Sequence, residues 1–551
     1  MEFKLGRFLD RAFKRENLPD HPVGNVDEAR AVVAALPQHD PAAALAELMA
    51  CVRSINEEAT FTPGRRARVL MELDVAAHHL WRPLSEAFLA PEGKPLEGTE
   101  GDAQILEALR VSAAEFANGF GFCVDKDAWN SAWIRENRVA VILRRAHWLT
   151  RMMILSRMLN LPGADERWTA LNDLYRLAEK QELLRSVAAV FPGSSSTSSV
   201  KQEYVRMLLV DITRPDRMLA RDMELAFRII GRVAATVQLE PQPIEGAQYF
   251  TVTRDAQRPV ALFRHSGRIS SKALYMHTGN ALPRLKAMLE RDVGLDAGEP
   301  DPMFGMQFTI RERRSLVNFM LNQWGESPAQ RRAPRIAMKG QAMLIQGIAS
   351  LAEVIPRHDQ GGFNADKAEE SKLRIQFDKT ANLGKKSVRQ MAMELMDASA
   401  SGLGVSLPRA ASRWARIGAL VGVRPGAGAD WVVGVIRRMN AKDESLELGL
   451  SVLTRKPTVV WCEVSDAGHS GVWDDEKRFE KNFDEHYVKA ILLEPQGAGF
   501  VQGEMLLPAG AASRGTWFDV PLKGGLARLM VTRVREETQD FQRVEFEPHK
   551  A

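Results

Sequence analysis

Apolar residues in the first half of the chain recur at intervals of three and four, the spacing of one face of an α-helix. The stretch "NSAWIRENRVAVILRRAHWLTRMMILSRMLN" is typical, because Trp133, Val139, Leu143 and Trp148 lie near one stripe with arginines largely to the side. Similar stretches follow one another, but at no fixed repeat length. The pattern predicts an irregular α-helical domain over residues 1–240.

The pattern changes twice further along the chain. A mixed segment first combines a hairpin-like run, "YFTVTRDAQRPVALF", with two helical runs, and short alternating runs such as Met391, Met393 and Leu395 then take over. Several short strands separated by Gly and Pro indicate a small closed antiparallel barrel, and further runs after it indicate a second β unit or strands that complete the first. The predicted class is multidomain α+β: an α-helical domain (1–240), a mixed α/β module or connector (241–327), a β-barrel (328–460) and a C-terminal β-rich unit (461–551).

Composition narrows the possible partners. The 551 residues carry a net charge of +4, too little for a protein that coats duplex nucleic acid, so we expect no DNA or RNA partner. No run of about 18 apolar residues occurs and the first residues are rich in charge, so we expect neither a membrane span nor a secretory signal, and a cytoplasmic location. The three cysteines are far apart, which fits free thiols in a reducing compartment.

Two short segments carry the candidate chemistry. "QRRAPRIAMKG" supplies Arg331, Arg332 and Arg335 on a loop that enters the first β-strand, because the proline at 334 prevents a helix from continuing there. Further on, "DASASGLGVSL" places Asp397 and Ser399 at the hinge between two alternating apolar runs.

The pattern R-x-x-x-R followed by D-x-S-x-x-G resembles the PilZ domain, a bacterial receptor for the second messenger cyclic di-GMP. Arg331 and Arg335 match the first half, and Asp397, Ser399 and Gly402 match the second. The later run "GADWVVGVIRRMNAKDESLELGLSVL" is similar to the last strands of that family. The resemblance covers about residues 328–460 and implies a six-stranded barrel, with the arginine loop folded across its outer face.

The residue types also suit that ligand by their own chemistry. The planar guanidinium of arginine can bond phosphate oxygens or the O6 and N7 edge of guanine, and it can stack on a base. The Asp397 carboxylate complements the N1 and N2 donors of guanine, and the Ser399 hydroxyl bonds either the ligand or the turn. Gly402 lets the backbone approach the ligand closely or adopts a positive φ. The implied site is therefore Arg331, Arg332, Arg335, Asp397, Ser399 and Gly402.

The resemblance implies an effector that changes domain arrangement or partner binding and so regulates motility, attachment or exopolysaccharide output. The helical domain would engage an unidentified protein partner, with no catalysis, cofactor or metal. The long gap between Arg335 and Asp397, in which we expect an insertion loop, leaves open a degenerate barrel that acts as an interaction scaffold without nucleotide. A lone D-x-S-x-x-G is also an ordinary hairpin turn. Arg437 and Arg438 alternate faces on a strand, so at most one can point to the ligand side, and we expect both to serve the surface. His78 and His79 are expected to pack rather than bind metal.

Overall fold

The computed structural model describes residues 21–89, 100–194, 196–254, 258–292, 294–325, 335–357, 390–412, 414–426, 428–465, 487–494, 500–522 and 525–549. The chain divides into two compact units, Met1–Gln330 and Arg331–Ala551. The first contains the long helices and small sheets, and the second contains two closed antiparallel barrels. The predicted multidomain α+β class is confirmed.

Helices dominate the described part of the first unit. Several begin at a residue whose side chain accepts hydrogen bonds from the exposed N–H groups of the first turn, including Asn25, Asp40, Ser131 and Ser199. The helices are α1 (Val26–Ala35), α2 (Pro41–Glu57), α3 (Pro63–Phe88), α4 (Glu100–Phe122), α5 (Ala132–Met158), α6 (Ala164–Lys180), α7 (Val200–Ile212), α8 (Ala220–Val233), α9 (Ala281–Glu290) and α10 (Ile310–Trp324). Of the helices in the described ranges, none is both long and apolar enough to cross a membrane.

Short strands complete the first unit. The hairpin predicted in the mixed segment is present, with Tyr249 paired to Ala261. Leu239, Leu274 and Trp324 belong to the same apolar core as the long helices, so the mixed segment packs directly onto them. The strands are β1 (Ala188–Ala189), β2 (Thr197–Ser198), β3 (Gln238–Glu240), β4 (Tyr249–Val252), β5 (Val260–Ala261), β6 (Ala273–His277), β7 (Pro300–Asp301) and β8 (Gly305–Thr309); β3, β6, β4 and β5 form one sheet in that order.

The first barrel closes six strands in the order β10-β11-β14-β13-β12-β9. Its interior is filled from alternate positions, such as Leu403, Val405 and Leu407 on one strand, so the residues between them face outward. A short helix, α11 (Ile348–Val354), follows the first strand. The strands are β9 (Ile336–Gln346), β10 (Met391–Ser399), β11 (Gly402–Pro408), β12 (Leu420–Arg424), β13 (Val432–Ala441) and β14 (Ser445–Thr454).

The second barrel has the strand order β15-β16-β17-β20-β19-β18. A separate apolar cluster lies between the barrels, in which Val433 of the first and Phe541 of the second are packed with Leu351 of α11. Arg437 on β13 also pairs with Glu536 of the second barrel at 2.6 Å. Its strands are β15 (Thr458–Ser465), β16 (Tyr487–Leu492), β17 (Gly503–Leu507), β18 (Trp517–Leu522), β19 (Gly525–Glu537) and β20 (Gln542–His549).

Candidate ligand site on the first barrel

The D-x-S-x-x-G segment forms the hairpin that joins β10 to β11. Ser399 is the last residue of β10 and pairs with Gly402, and its hydroxyl lies 3.4 Å from the Gly402 carbonyl oxygen. Arg455 supports the turn from outside by donating to the carbonyl oxygens of Ser399 at 2.8 Å and Ala400 at 3.5 Å. The turn is therefore held by its own serine and by a guanidinium distant in sequence.

A β-bulge turns Asp397 to the outer face. The register of β10 shifts between Leu395, which is buried in the core, and Asp397, which pairs with Gly404. In a regular strand residues 395 and 397 would point to the same side, so the extra residue at the bulge reverses the side on which Asp397 lies. The carboxylate consequently faces away from the barrel core.

Arg335 and Asp397 meet directly. Nη1 of Arg335 donates to Oδ1 of Asp397 at 2.5 Å, and the two side chains are 22% and 28% exposed. The arginine immediately precedes β9, and the pairing of β9 with β10 brings residues 62 positions apart into contact. Arg331 and Arg332 lie outside the described residues, and so does the insertion loop expected at 357–386, except for its first residue.

Gly402 sits against the backbone of the neighbouring strand. A Cβ there would lie 3.0 Å from the carbonyl oxygen of Leu450 and 3.9 Å from Nη2 of Arg335. The φ angle of Gly402 is not positive. The positive φ expected as one reason for a glycine here is therefore absent, and the close contact that the structure shows is with the neighbouring strand.

A row of four paired residues crosses the outer face beside the turn. Asp397 pairs with Gly404, Gly404 with Gly449, and Gly449 with Arg438, each on a successive strand. A Cβ on Gly404 would lie 2.6 Å from Oδ1 of Asp397, and one on Gly449 would lie 3.2 Å from Nε of Arg438. The Asp397 carboxylate thus extends over Gly404 and the Arg438 guanidinium over Gly449, where neither glycine has a side chain to block them.

The sequence allowed at most one of Arg437 and Arg438 to point to the ligand side and favoured the surface for both, and the structure places Arg438 on this face. A second bulge, between Ile436 and Arg438, separates the two arginines of β13, so that Arg437 reaches Glu536 while Arg438 lies over Gly449. Nε of Arg438 is buried and has no hydrogen-bond partner among the described residues. The adjacent arginines and the glycine of "LGL" were visible in the sequence, but only the bulge shows which arginine joins the row.

The other candidate groups take structural roles or lie outside the described residues. His78 stacks on Phe191 with ring centroids 4.0 Å apart, which fits packing. Within the described ranges no cluster of three or more metal-ligating side chains occurs. Burial raises the pKa of the Cys123 and Cys462 thiols to about 12, so neither forms a reactive thiolate near neutral pH.

These features define a class of protein: a helical unit followed by two barrels in tandem. The outer face of the first barrel carries an arginine and a carboxylate beside two paired glycines. Comparison with known families adds a finding on the helical unit. Residues 27–243, about two fifths of the chain, match the family described as the N-terminal domain of the cyclic-di-GMP receptor FimW. The match supports a relationship to a cyclic-di-GMP receptor family and does not extend to the barrels. No curated protein matches the chain.

Proposed function

We propose that the protein is a cyclic di-GMP effector whose first barrel is of the PilZ type and binds the nucleotide on its outer face. The observation that carries the proposal is the contact of Arg335 with Asp397 beside Ser399 and Gly402. The family match supports it independently, because that match rests on the helical unit and uses none of the barrel residues. Arg331 and Arg332 are assigned to the same site from the sequence pattern.

The chemistry of binding follows from charge. In the free protein, Arg335 and Asp397 partly neutralise each other. A phosphate of the ligand would compete for the Arg335 guanidinium, because arginine makes strong paired hydrogen bonds to phosphate oxygens. The Asp397 carboxylate would then be able to accept hydrogen bonds from the N1–H and N2–H groups of a guanine. The Gly404 and Gly449 backbone would allow a flat base to approach closely, with the Arg438 guanidinium available to stack on it.

Binding would be the whole activity in this proposal, without any catalysed reaction. Ligand binding would alter a partner surface or the arrangement of the domains, in the cytoplasm of a bacterium. The outputs implied are motility, attachment or exopolysaccharide production. A protein partner would engage the helical domain.

Calorimetric titration with cyclic di-GMP tests the nucleotide site. We expect saturable heat with the wild-type protein and a loss of affinity of at least about tenfold in Arg335→Ala, the scale of losing one charge-assisted contact. Arg514→Ala is the matched control, because Arg514 is an exposed arginine on the second barrel. Cyclic di-AMP, which lacks the guanine edge, should bind more weakly to the wild type.

The competing function is a degenerate barrel that serves as a scaffold. The same ion pair favours it, because Arg335 and Asp397 satisfy each other without a ligand. Absence of heat from the wild type would support the scaffold, and equal affinities of wild type and Arg335→Ala would remove the arginine from the site.

A further inference from the structure

A strongly basic groove lies on the first unit, far in sequence from the barrel residues. It consists of two open cavities, of about 600 and 420 Å³, that share Arg284. One face of α9 lines both, since Asn280, Arg284, Met288 and Arg291 recur at helical spacing. That face is about 16 Å long at 1.5 Å per residue.

The positive charge of the groove is largely uncompensated. Arg232, Arg284 and Arg291 line the smaller cavity, and their side chains have no ion-pair or hydrogen-bond partner among the described residues. The larger cavity adds Arg185 and Lys201, which share the single carboxylate of Glu240 at 3.5 and 3.4 Å. Clustered like charges repel one another, so an acidic partner would be attracted to this surface.

Two of the acids next to the groove in sequence, Asp292 and Asp301, are unable to supply the missing charge. Asp292 and Asp301 adjoin the lining residues Arg291 and Pro302 in sequence, but both are buried. Each is paired with the buried Arg313, at 2.8 and 2.5 Å. The fold therefore directs these carboxylates inward and leaves the guanidinium groups on the surface.

The composition of the groove favours a protein over other anions. Arginine and methionine are enriched at protein interfaces, and the half-buried Met303 supplies apolar surface beside the arginines, whereas Met288 is buried in the core. A small-molecule site usually surrounds its ligand, whereas these arginines are exposed along an open helix face. The described lining contains no aromatic side chain on which the bases of a single-stranded nucleic acid could stack.

We propose that this basic groove is the docking site for an acidic segment of a protein partner. The inference gives a surface and a charge to the partner of the proposed function, and it rests on that part of the function alone. Nucleotide binding by the first barrel is tested by a separate titration, so the failure of one proposal is distinguishable from the failure of the other.

Fluorescence anisotropy of the full-length protein with a labelled peptide tests the groove. The probe is a repeat of Glu-Glu-Leu, roughly fifteen residues long so that it spans the helix face. The matched peptide has Gln in place of Glu. We expect the wild type to bind the acidic peptide and not the Gln peptide, and Arg284→Gln/Arg291→Gln to weaken binding about tenfold or more.

The control variant is Arg268→Gln/Lys272→Gln, which removes two exposed cations of the same unit that do not line the groove. It should bind the acidic peptide within about twofold of the wild type. Equal binding by the two double variants, or no binding by the wild type, would overturn the proposal. Displacement of the peptide by equimolar tripolyphosphate or oligothymidylate would overturn it in favour of a small-anion or nucleic-acid site.

Discussion

The position of the Asp397 carboxylate depends on the absence of a side chain at Gly404. A methyl group there would lie 2.6 Å from Oδ1 of Asp397, closer than the two atoms can approach, so the carboxylate would have to move. We predict that Gly404→Ala weakens cyclic di-GMP binding by about tenfold while the barrel stays folded, because the flexible carboxylate yields before the backbone does. Calorimetry and a thermal unfolding curve measure the two effects.

Gly340→Ala provides the control for a methyl group added to the same barrel. Gly340 lies on β9, and a Cβ there would meet open space. The affinity of Gly340→Ala for cyclic di-GMP should equal that of the wild type. Unchanged affinity in Gly404→Ala would show that the Asp397 carboxylate does not contact the ligand from its observed position.

Individual site residues differ in how far the sequence predicts them. Asp397, Ser399 and Gly402 are a local motif, and a hairpin brings them together whatever the rest of the barrel does. Arg335 reaches Asp397 only because β9 pairs with β10, and the alternating pattern does not specify that pairing. The sequence could not decide between Arg437 and Arg438, because the side of the strand depends on a bulge and a shift of one residue reverses every later side chain.

At the scale of single elements, the hairpin turn depends on the connection between the two barrels. Arg455 follows the last strand of the first barrel and donates to the carbonyl oxygens of Ser399 and Ala400. We predict that Arg455→Ala loosens the turn and weakens cyclic di-GMP binding about fivefold, the equivalent of about 1 kcal/mol for one exposed charge-assisted bond. Calorimetric titration gives the affinity.

Lys456→Ala is the control for Arg455→Ala, since Lys456 is the next residue and its side chain is also exposed. An equal loss of cyclic di-GMP affinity in both variants would mean that the positive charge of these two residues attracts the ligand and that the hydrogen bonds of Arg455 to the turn are unimportant. Hydrogen exchange of the Ser399–Gly402 amides would rise in Arg455→Ala only if the turn itself loosens.

Helices were easier to predict than strands for a physical reason. A helix satisfies its backbone locally, so the runs that became α5 and α10 could be recognised without knowledge of the rest of the fold. The single apolar stripe expected on α5 was wrong, because its buried residues lie on most sides of the helix and include Arg144. A strand needs a partner. The first strand, β9, pairs with both β10 and β12, and nothing in its own sequence specifies either neighbour.

For the molecule as a whole, the sequence left open whether the last strands complete the first barrel or form another. Apolar and polar residues alternate in the same way whether the strands form one barrel or two, because a barrel fills its interior with every second residue of each strand. The distinguishing feature is the apolar cluster between the barrels, where residues on the outer faces are also buried, such as Val433 and Val435. Continuous apolar runs such as "WVVGVI" therefore mark contact between barrels.

The stability of the helical unit should depend on pH through His147. Burial is the main reason that the pKa of His147 falls from 6.5 to about 3, with the cations Arg151 and Arg206 adding to the effect and Glu203 opposing it. Between pH 6.5 and 3 the unfolded chain binds a proton at this histidine and the folded chain does not. The stability from keeping His147 neutral is thus complete above pH 6.5 and is lost as the pH falls.

We predict that lowering the pH from 7 to 5 reduces the opening free energy of α5 by about 2 kcal/mol more in the wild type than in His147→Phe. Phenylalanine keeps a ring against Trp148 and Phe191, which His147 contacts edge-on, but it does not titrate. Amide hydrogen exchange across Ala146–Leu155 at the two pH values measures the difference. The exposed His79, changed to glutamine, should leave the pH dependence as in the wild type. If His147→Phe loses as much stability as the wild type over this range, the acid sensitivity of the helical unit arises from other groups, among them His78, whose pKa burial lowers to about 4, and the His147 imidazole contributes nothing to it.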